Sequence, residues 1–245
     1  AAAVFVAAVA TACGPAGSFF RQYEYDEQID LSLDGTAVVY VNASLQALNA
    51  LRGTAFDVRP NARVDRQAVE AFFSSPVTRV TQFNTSRRSG RQFVHLRLAT
   101  DRIDALGQAP AFSWSRYGFG LRNDTYQFAQ TVGAPSGHPA ASGGWTGQEL
   151  VAFRLHLPSK VAYHNTGRDI GRGNILIWEQ PLSERLKGAP LKDGLGREIE
   201  ALEARMETQS ILYRTLSLFG ATAAVVAVAF AVVIWLVMRS GGTEA

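Results

Sequence analysis

One cysteine, two methionines and three lysines are all that this 245-residue chain has of those types. A single cysteine excludes an intrachain disulfide, and with it the small disulfide-stapled class. Charge is missing from residues 1–20 and again from residues 215–238. Only the second stretch is long enough to cross a bilayer, so a polytopic transporter is excluded. With 47% hydrophobic residues and no glycine period, long disorder and a collagen-like repeat are excluded too. No phosphate-cradling glycine loop, zinc-ligand spacing or nucleophile elbow occurs. The expectation is therefore a protein that is not an enzyme and has no cofactor, metal or catalytic residues.

The charged fraction is low, at 18%, and the net charge is +3. The charges all fall within the roughly 200 residues outside the two bare stretches, at about the density of an ordinary soluble domain. The chain thus reads as one globular body with an apolar segment at each end.

Residues 1–12, AAAVFVAAVATA, are too short to span ~30 Å of hydrocarbon but have the length of a secretory h-region. There is no initiating Met and no basic stretch before them, so the segment reads as a truncated signal peptide. Small residues Thr11 and Ala12 precede Cys13, as in a bacterial lipobox, where the thiol is acylated and becomes the new N-terminus. Lipid attachment at Cys13 also accounts for a lone cysteine in an exported chain. Residues 13–18 then supply the lipidated Cys and a Gly/Pro/Ser tether.

Residues 215–238 extend about 36 Å as a helix, enough to cross a membrane with some tilt. Tyr213 and Trp235 sit near the two boundaries, and Arg239 stops the run. We expect a transmembrane helix over 208–239 and a short cytoplasmic tail over 240–245. A cleaved export signal followed by a stop-transfer helix places the body, residues 19–207, outside the cytoplasmic membrane, facing the periplasm or cell exterior. Nucleic acid is a poor partner for such a body.

Within the body, Tyr23, Tyr25, Ile29, Leu31 and Leu33 share one parity, and Glu24, Asp26, Gln28 and Asp30 the other, as in a half-buried strand. Asp34-Gly35 predicts a type I′ hairpin, with a return strand over Thr36–Ala43. Ser44 and Asp65 predict helix caps for Leu45–Leu51 and Arg66–Phe73. Further strands are predicted at Val77–Phe83 and Arg91–Ala99, joined by a polar turn Asn84–Gly90, then near Phe112–Tyr117, Tyr126–Val132, Val151–Leu157 and Asn174–Glu179. Asp101–Leu106 and Leu182–Lys187 read as short helical turns, and residues 197–214 suit either a helix or a final strand. The fold class is α+β, with a largely antiparallel sheet, short helices and one C-terminal transmembrane helix.

Three clusters invite a functional reading. The acids Glu24, Asp26, Glu27 and Asp30 read as a solvated sheet face, since a strand spreads carboxylates too widely for calcium. His156 and His164, with Glu179, are the residues a hydrolase-like site would use; His95 and His138 read as structural. Arginine dominates the basic residues, and 79–100 hold Arg79, Arg87, Arg88, Arg91 and Arg97 without an acid. Arg87, Arg88 and Arg91 are the candidate contacts to anionic headgroups, because Arg forks bind phosphate bidentately and gain near an anionic surface. The apolar tracts Leu150–Leu157 and Ile175–Trp178 suit core strands or the wall of a lipid-sized cavity.

The sequence Ala10-Thr11-Ala12-Cys13, the early Asp34-Gly35 hairpin, the α+β body and the C-terminal helix ending at Arg239 together resemble the LppM-type bacterial lipoproteins and related envelope proteins. The resemblance implies an exported domain held on the membrane that binds a lipid or glycolipid, and it assigns no ligand residues. The leading expectation is a non-catalytic binder of an envelope ligand; the alternatives are a structural subunit docking onto another envelope protein and a hydrolase-like enzyme. The anchor has its own test. Cys13→Ala abolishes incorporation of a clickable fatty-acid analogue in a bacterial expression host; undiminished labelling would refute acylation there.

Overall fold

The computed structural model describes residues 21–59, 61–137, 144–170 and 174–240. The expected leader 1–12, Cys13 with its tether, and His138 lie outside the described residues. The chain runs β1 (Tyr23–Leu31), β2 (Ala37–Ser44), α1 (Leu45–Arg52), α2 (Arg66–Phe73), β3 (Arg79–Arg88) and β4 (Arg91–Thr100). Two 3-10 turns, Ile103–Gln108 and Pro110–Phe112, lead to β5 (Ser115–Arg122), β6 (Thr125–Val132), β7 (Leu150–His156) and β8 (Ser159–His164). Then come β9 (Ile175–Pro181), α3 (Leu182–Leu186), β10 (Leu191–Lys192), β11 (Glu198–Ile199), β12 (Leu202–Ser210) and α4 (Ile211–Ser240).

These elements form an α+β body. One sheet has six strands in the order β3-β4-β2-β1-β7-β9, a second has four in the order β5-β6-β12-β8, and β10 pairs with β11. Every pairing is antiparallel except β1 with β7. α1 is capped by Ser44, whose Oγ accepts the Ala47 N–H at 3.0 Å, and closed by Gly53 at φ +69°. Asp65 caps α2 in the same way.

The core lies between the six-stranded sheet on one side and the second sheet with α1, α2 and the 3-10 turns on the other. Tyr25, Phe73, Phe112, Phe153 and Trp178 are among its largest fully buried side chains. Each such side chain contributes roughly 1.5–3 kcal/mol by leaving water. The tracts Leu150–Leu157 and Ile175–Trp178 belong to this packing: Val151, Phe153, Leu155, Leu157, Leu176 and Trp178 all sit in it.

Several local expectations are corrected. Only Gly35 of the Asp34-Gly35 pair is left-handed, and Asp34 instead accepts the Thr36 N–H and hydroxyl. The stretch Asn84–Arg88 is strand, and the turn is the pair Ser89-Gly90, at φ +51° and +76°. Its polarity reflects an edge strand, mostly exposed, and not a loop. Pro110 lacks a backbone N–H and starts a 3-10 turn over Pro110–Phe112, so the next strand begins only at Ser115. Residues 202–210 are strand, with Leu202, Ala204 and Met206 buried and Glu203 and Arg205 exposed between them. The apolar helix therefore starts at Ile211.

The acidic row is the largest correction. Asp26 and Asp30 stay half-buried on the outer face, but Glu24 and Glu27 are fully buried. Glu27 lies between the two sheets. It accepts hydrogen bonds from Tyr25 Oη at 2.7 Å, Tyr117 Oη at 2.8 Å and Gln130 Nε2 at 2.9 Å. Burial first, and the Glu27 charge second, raise both phenols well above the usual tyrosine range, so they remain donors. The nearby Arg52 guanidinium lies 3.9 Å from the Trp114 ring centroid. Replacing Glu27 by Ala strands these donors and costs about 3 kcal/mol. Urea unfolding followed by circular dichroism measures it; a loss under about 1 kcal/mol would show that the carboxylate does not tie the sheets together.

Candidate functional site

The β3–β4 hairpin distributes the three candidate arginines differently. Arg91 is buried, at 6% exposure. Its guanidinium reaches Glu24 Oε1 at 3.0 Å, Glu149 Oε1 at 3.5 Å and the Gly144 carbonyl at 2.9 Å. This corrects the expectation of a surface headgroup contact, because two buried carboxylates already engage Arg91. Burial pushes the Glu149 carboxyl up, but the N–H groups of Thr146 and Gly147 outweigh that and hold it below the usual range. The result is a knot that ties residues 144–149 onto the hairpin and the start of β1.

Arg88 is exposed but engaged. It donates to the Tyr23 carbonyl, stands 3.9 Å from Glu24 and lies over the Phe93 ring with its Cζ 4.4 Å from the centroid. Arg87 donates to the Ala62 carbonyl at 3.1 Å. With Arg63, Thr85, Ser86, Gln92 and apolar Phe83 and Val64 it lines an open cleft of about 480 Å³. Gln92 holds the cleft's far wall by donating to the Arg59 carbonyl at 3.0 Å. Arg63 and Gln92 were not singled out from sequence. They enter the site because the segment before α2 folds across β3, which no local pattern announces.

Beside the cleft runs a cross-strand polar row. His95 Nε2 lies 2.7 Å from Ser86 Oγ, and Nδ1 lies 2.9 Å from Asn42 Oδ1. Burial first and the Arg88 charge second lower the His95 pKa, so the ring is neutral at pH 7. The network assigns its proton to Nδ1, facing Asn42, and leaves Nε2 to accept from Ser86.

The residues of the hydrolase-like alternative do not share partners. His156 faces Asp30 at 3.6 Å, and His164 bonds Thr166 Oγ1 at 2.8 Å. Glu179 is held by Arg21, Tyr23 and Arg168. Among the described residues no group of three His, Cys, Asp or Glu side chains converges to hold a metal ion. Each acid of the β1 row meets a separate partner: Glu24 has Arg91, Asp26 has Arg154 at 2.8 Å, and Asp30 has Gln28 at 2.8 Å.

The cleft and the apolar helix lie at opposite ends of the six-stranded sheet. The pairings bring Arg87, Arg91, Tyr23 and Leu150 to one end, and Arg79, Leu31 and His156 to the other. α4 begins just past His156, where the Ile211 N–H donates to the Pro158 carbonyl. The stretch Ile211–Leu236 is long and apolar enough to cross a membrane, and none of it is buried in the body.

No protein-family model matches the chain. No curated protein matches it either. Among solved structures, the chain is similar to the folded domain of the Mycobacterium tuberculosis LppM protein, determined by NMR. The alignment covers 82% of this chain and 99% of that one, at 10% identity and a TM-score of 0.41.

The contrast between Arg91 and Arg87 is measurable. Arg91→Ala strands Glu24 and Glu149 and lowers stability by about 3 kcal/mol at pH 7, while Arg87→Ala changes it by less than about 0.5 kcal/mol. The Thr146 and Gly147 N–H groups hold the folded Glu149 pKa down, so the stability that carboxylate contributes is complete above the ordinary glutamate range near ~4.3. It is lost as pH falls through the depressed value. Unfolding curves between pH 7 and pH 3 check this; equal losses for the two variants would dismiss the buried, structural assignment of Arg91.

Proposed function

We propose that the chain is a membrane-tethered domain of the bacterial cell envelope that binds the anionic headgroup of a lipid or glycolipid. The body faces the periplasm or cell exterior, held by α4, with a lipid on Cys13 as a second anchor. The observation that carries the tether is α4 itself, a helix of exposed Leu, Val, Ile, Phe and Trp side chains fused to a folded body. Such a surface left in water would be far larger than a soluble monomer tolerates.

The ligand reading rests on the cleft. Arg63 and Arg87 supply cationic forks, Thr85, Ser86 and Gln92 supply hydrogen-bonding groups, and Phe83 and Val64 supply an apolar floor. Forks of this kind pair with phosphate or carboxylate oxygens two at a time. Because the cleft is remote from the start of α4, the proposed ligand is one held away from the anchoring bilayer, not a headgroup of that bilayer.

The test uses the full chain in nanodiscs of neutral phosphatidylcholine, mixed with separate vesicles containing phosphatidylglycerol. Flotation carries the nanodisc protein up with the anionic vesicles. The pair Arg63→Glu and Arg87→Glu lowers the bound fraction at least fivefold. Binding that ignores both reversals would sink the cleft as the headgroup site.

A further inference from the structure

β12 passes into α4 with no residue between them: the strand ends at Ser210 and the helix begins at Ile211. The joint is bonded from several directions. Ile211 N–H donates to the Pro158 carbonyl at 3.0 Å, and Tyr213 N–H donates to Ser210 Oγ at 3.0 Å. Glu207 accepts from Arg214 at 2.7 Å and stands 3.3 Å from Lys160. A joint without a linker holds the flanking surfaces at a set height above the point where α4 enters lipid.

Two flanks meet that condition. On one side Thr125 of β6 pairs with Glu207, and the β5–β6 hairpin turns through Asn123 and Asp124, at φ +47° and +57°. At ~3.3 Å per residue the hairpin tip lies within about 10 Å of the level of Ile211. On the other side Ser159 of β8 pairs with Ser210, and the Asn174 amide ties the Leu157 and Ser159 carbonyls to the start of β9.

Outside α4, the exposed large hydrophobic side chains among the described residues are Val58, Leu121, Tyr163, Ile175 and Leu195. Leu121, at 56% exposure, and Ile175, at 39%, lie on these two flanks, one on each side of the helix root. Next to Leu121 stands exposed Arg122, whose guanidinium has no hydrogen bond or ion pair among the described residues. Arg122, Lys160 and Arg214 outnumber the neighbouring acids Glu207 and Asp124 by one.

We propose that Leu121, Arg122, Lys160 and Ile175 form a ledge around the root of α4 that rests on anionic phospholipid headgroups of the bilayer the helix crosses. This rests on the reading of α4 as a membrane span. Continuity with the span names the occupant. A surface this close to the helix root meets the headgroup layer, which adds several Å to each side of the ~30 Å hydrocarbon. Basic side chains are drawn to anionic lipid within a Debye length of ~8 Å. The ledge would fix how the body stands, with its arginine cleft turned away from the surface.

The experiment reconstitutes the full chain, carrying Cys13→Ala, in phosphatidylcholine vesicles containing phosphatidylglycerol. Asn123→Cys places a bimane label at the ledge, and Ser89→Cys places one at the remote β3–β4 tip. Lipid with a nitroxide on its headgroup quenches the label at 123 at least fivefold more than the label at 89. Reversing Arg122 and Lys160 to Glu reduces quenching at 123 at least twofold. Equal quenching at the two positions, in protein that resists carbonate extraction, overturns the ledge alone. Quenching at 123 that ignores the charge reversals overturns the anionic assignment. Extraction of the chain by carbonate overturns the span, and the ledge with it.

Discussion

A carboxylate buried between two sheets is the constraint on which the rest of this structure hangs. Taking Glu27 out of water costs several kcal/mol unless donors and a cation replace the lost solvent. Tyr25, on the same strand, supplies one donor, while Tyr117 and Gln130 supply two from the second sheet. Hydrogen bonds are directional, so satisfying Glu27 sets the placement of one sheet against the other, which apolar packing alone specifies less sharply. The second sheet also contains β12, the strand that becomes α4. A carboxylate in the core thereby helps to determine where the body stands relative to its apolar helix.

The same strand carries charge on its other face. Glu24 engages Arg91, and Asp26 engages Arg154, so β1 is flanked by ion pairs on the outside and by the Glu27 network on the inside. Arg91 belongs to this framework. Its near neighbour Arg87 belongs to the cleft. Strand geometry separates them: residues around a tight hairpin point to different sides, so adjacent arginines take on unrelated tasks. A cluster that looks uniform in sequence thus divides into one structural cation, one partly stacked on an aromatic ring and one lining a ligand-sized cleft.

Much of the fold is legible in the chain. The alternation of β1, the caps at Ser44 and Asp65, and the uncharged C-terminal run all give local signals that local physics then obeys. Glu27 was legible too, by parity, since it shares the odd positions with Tyr25 and Ile29. Grouping it with its acidic neighbours by composition placed it on the wrong face. The parallel pairing of β1 with β7 and the existence of β8 had no such signal. The first joins segments more than a hundred residues apart, and the second is a short strand whose burial does not alternate cleanly. Of the candidate site, Arg87 was visible and Arg63 was not, because their meeting depends on how the segment before α2 crosses the sheet.

The polar edge of the six-stranded sheet has a consequence for crowding. Chains confined to a membrane diffuse in two dimensions, where collisions between like copies are frequent and share one orientation. An open edge strand of apolar, β-branched residues would then zip onto its neighbour. β3 presents Arg79, Gln82, Asn84, Ser86 and Arg88 instead. Charge repulsion and the cost of stripping water from these side chains work against strand-to-strand addition at that edge. The polarity that hid the second half of β3 from a reading of its sequence also works against addition of another strand at this edge.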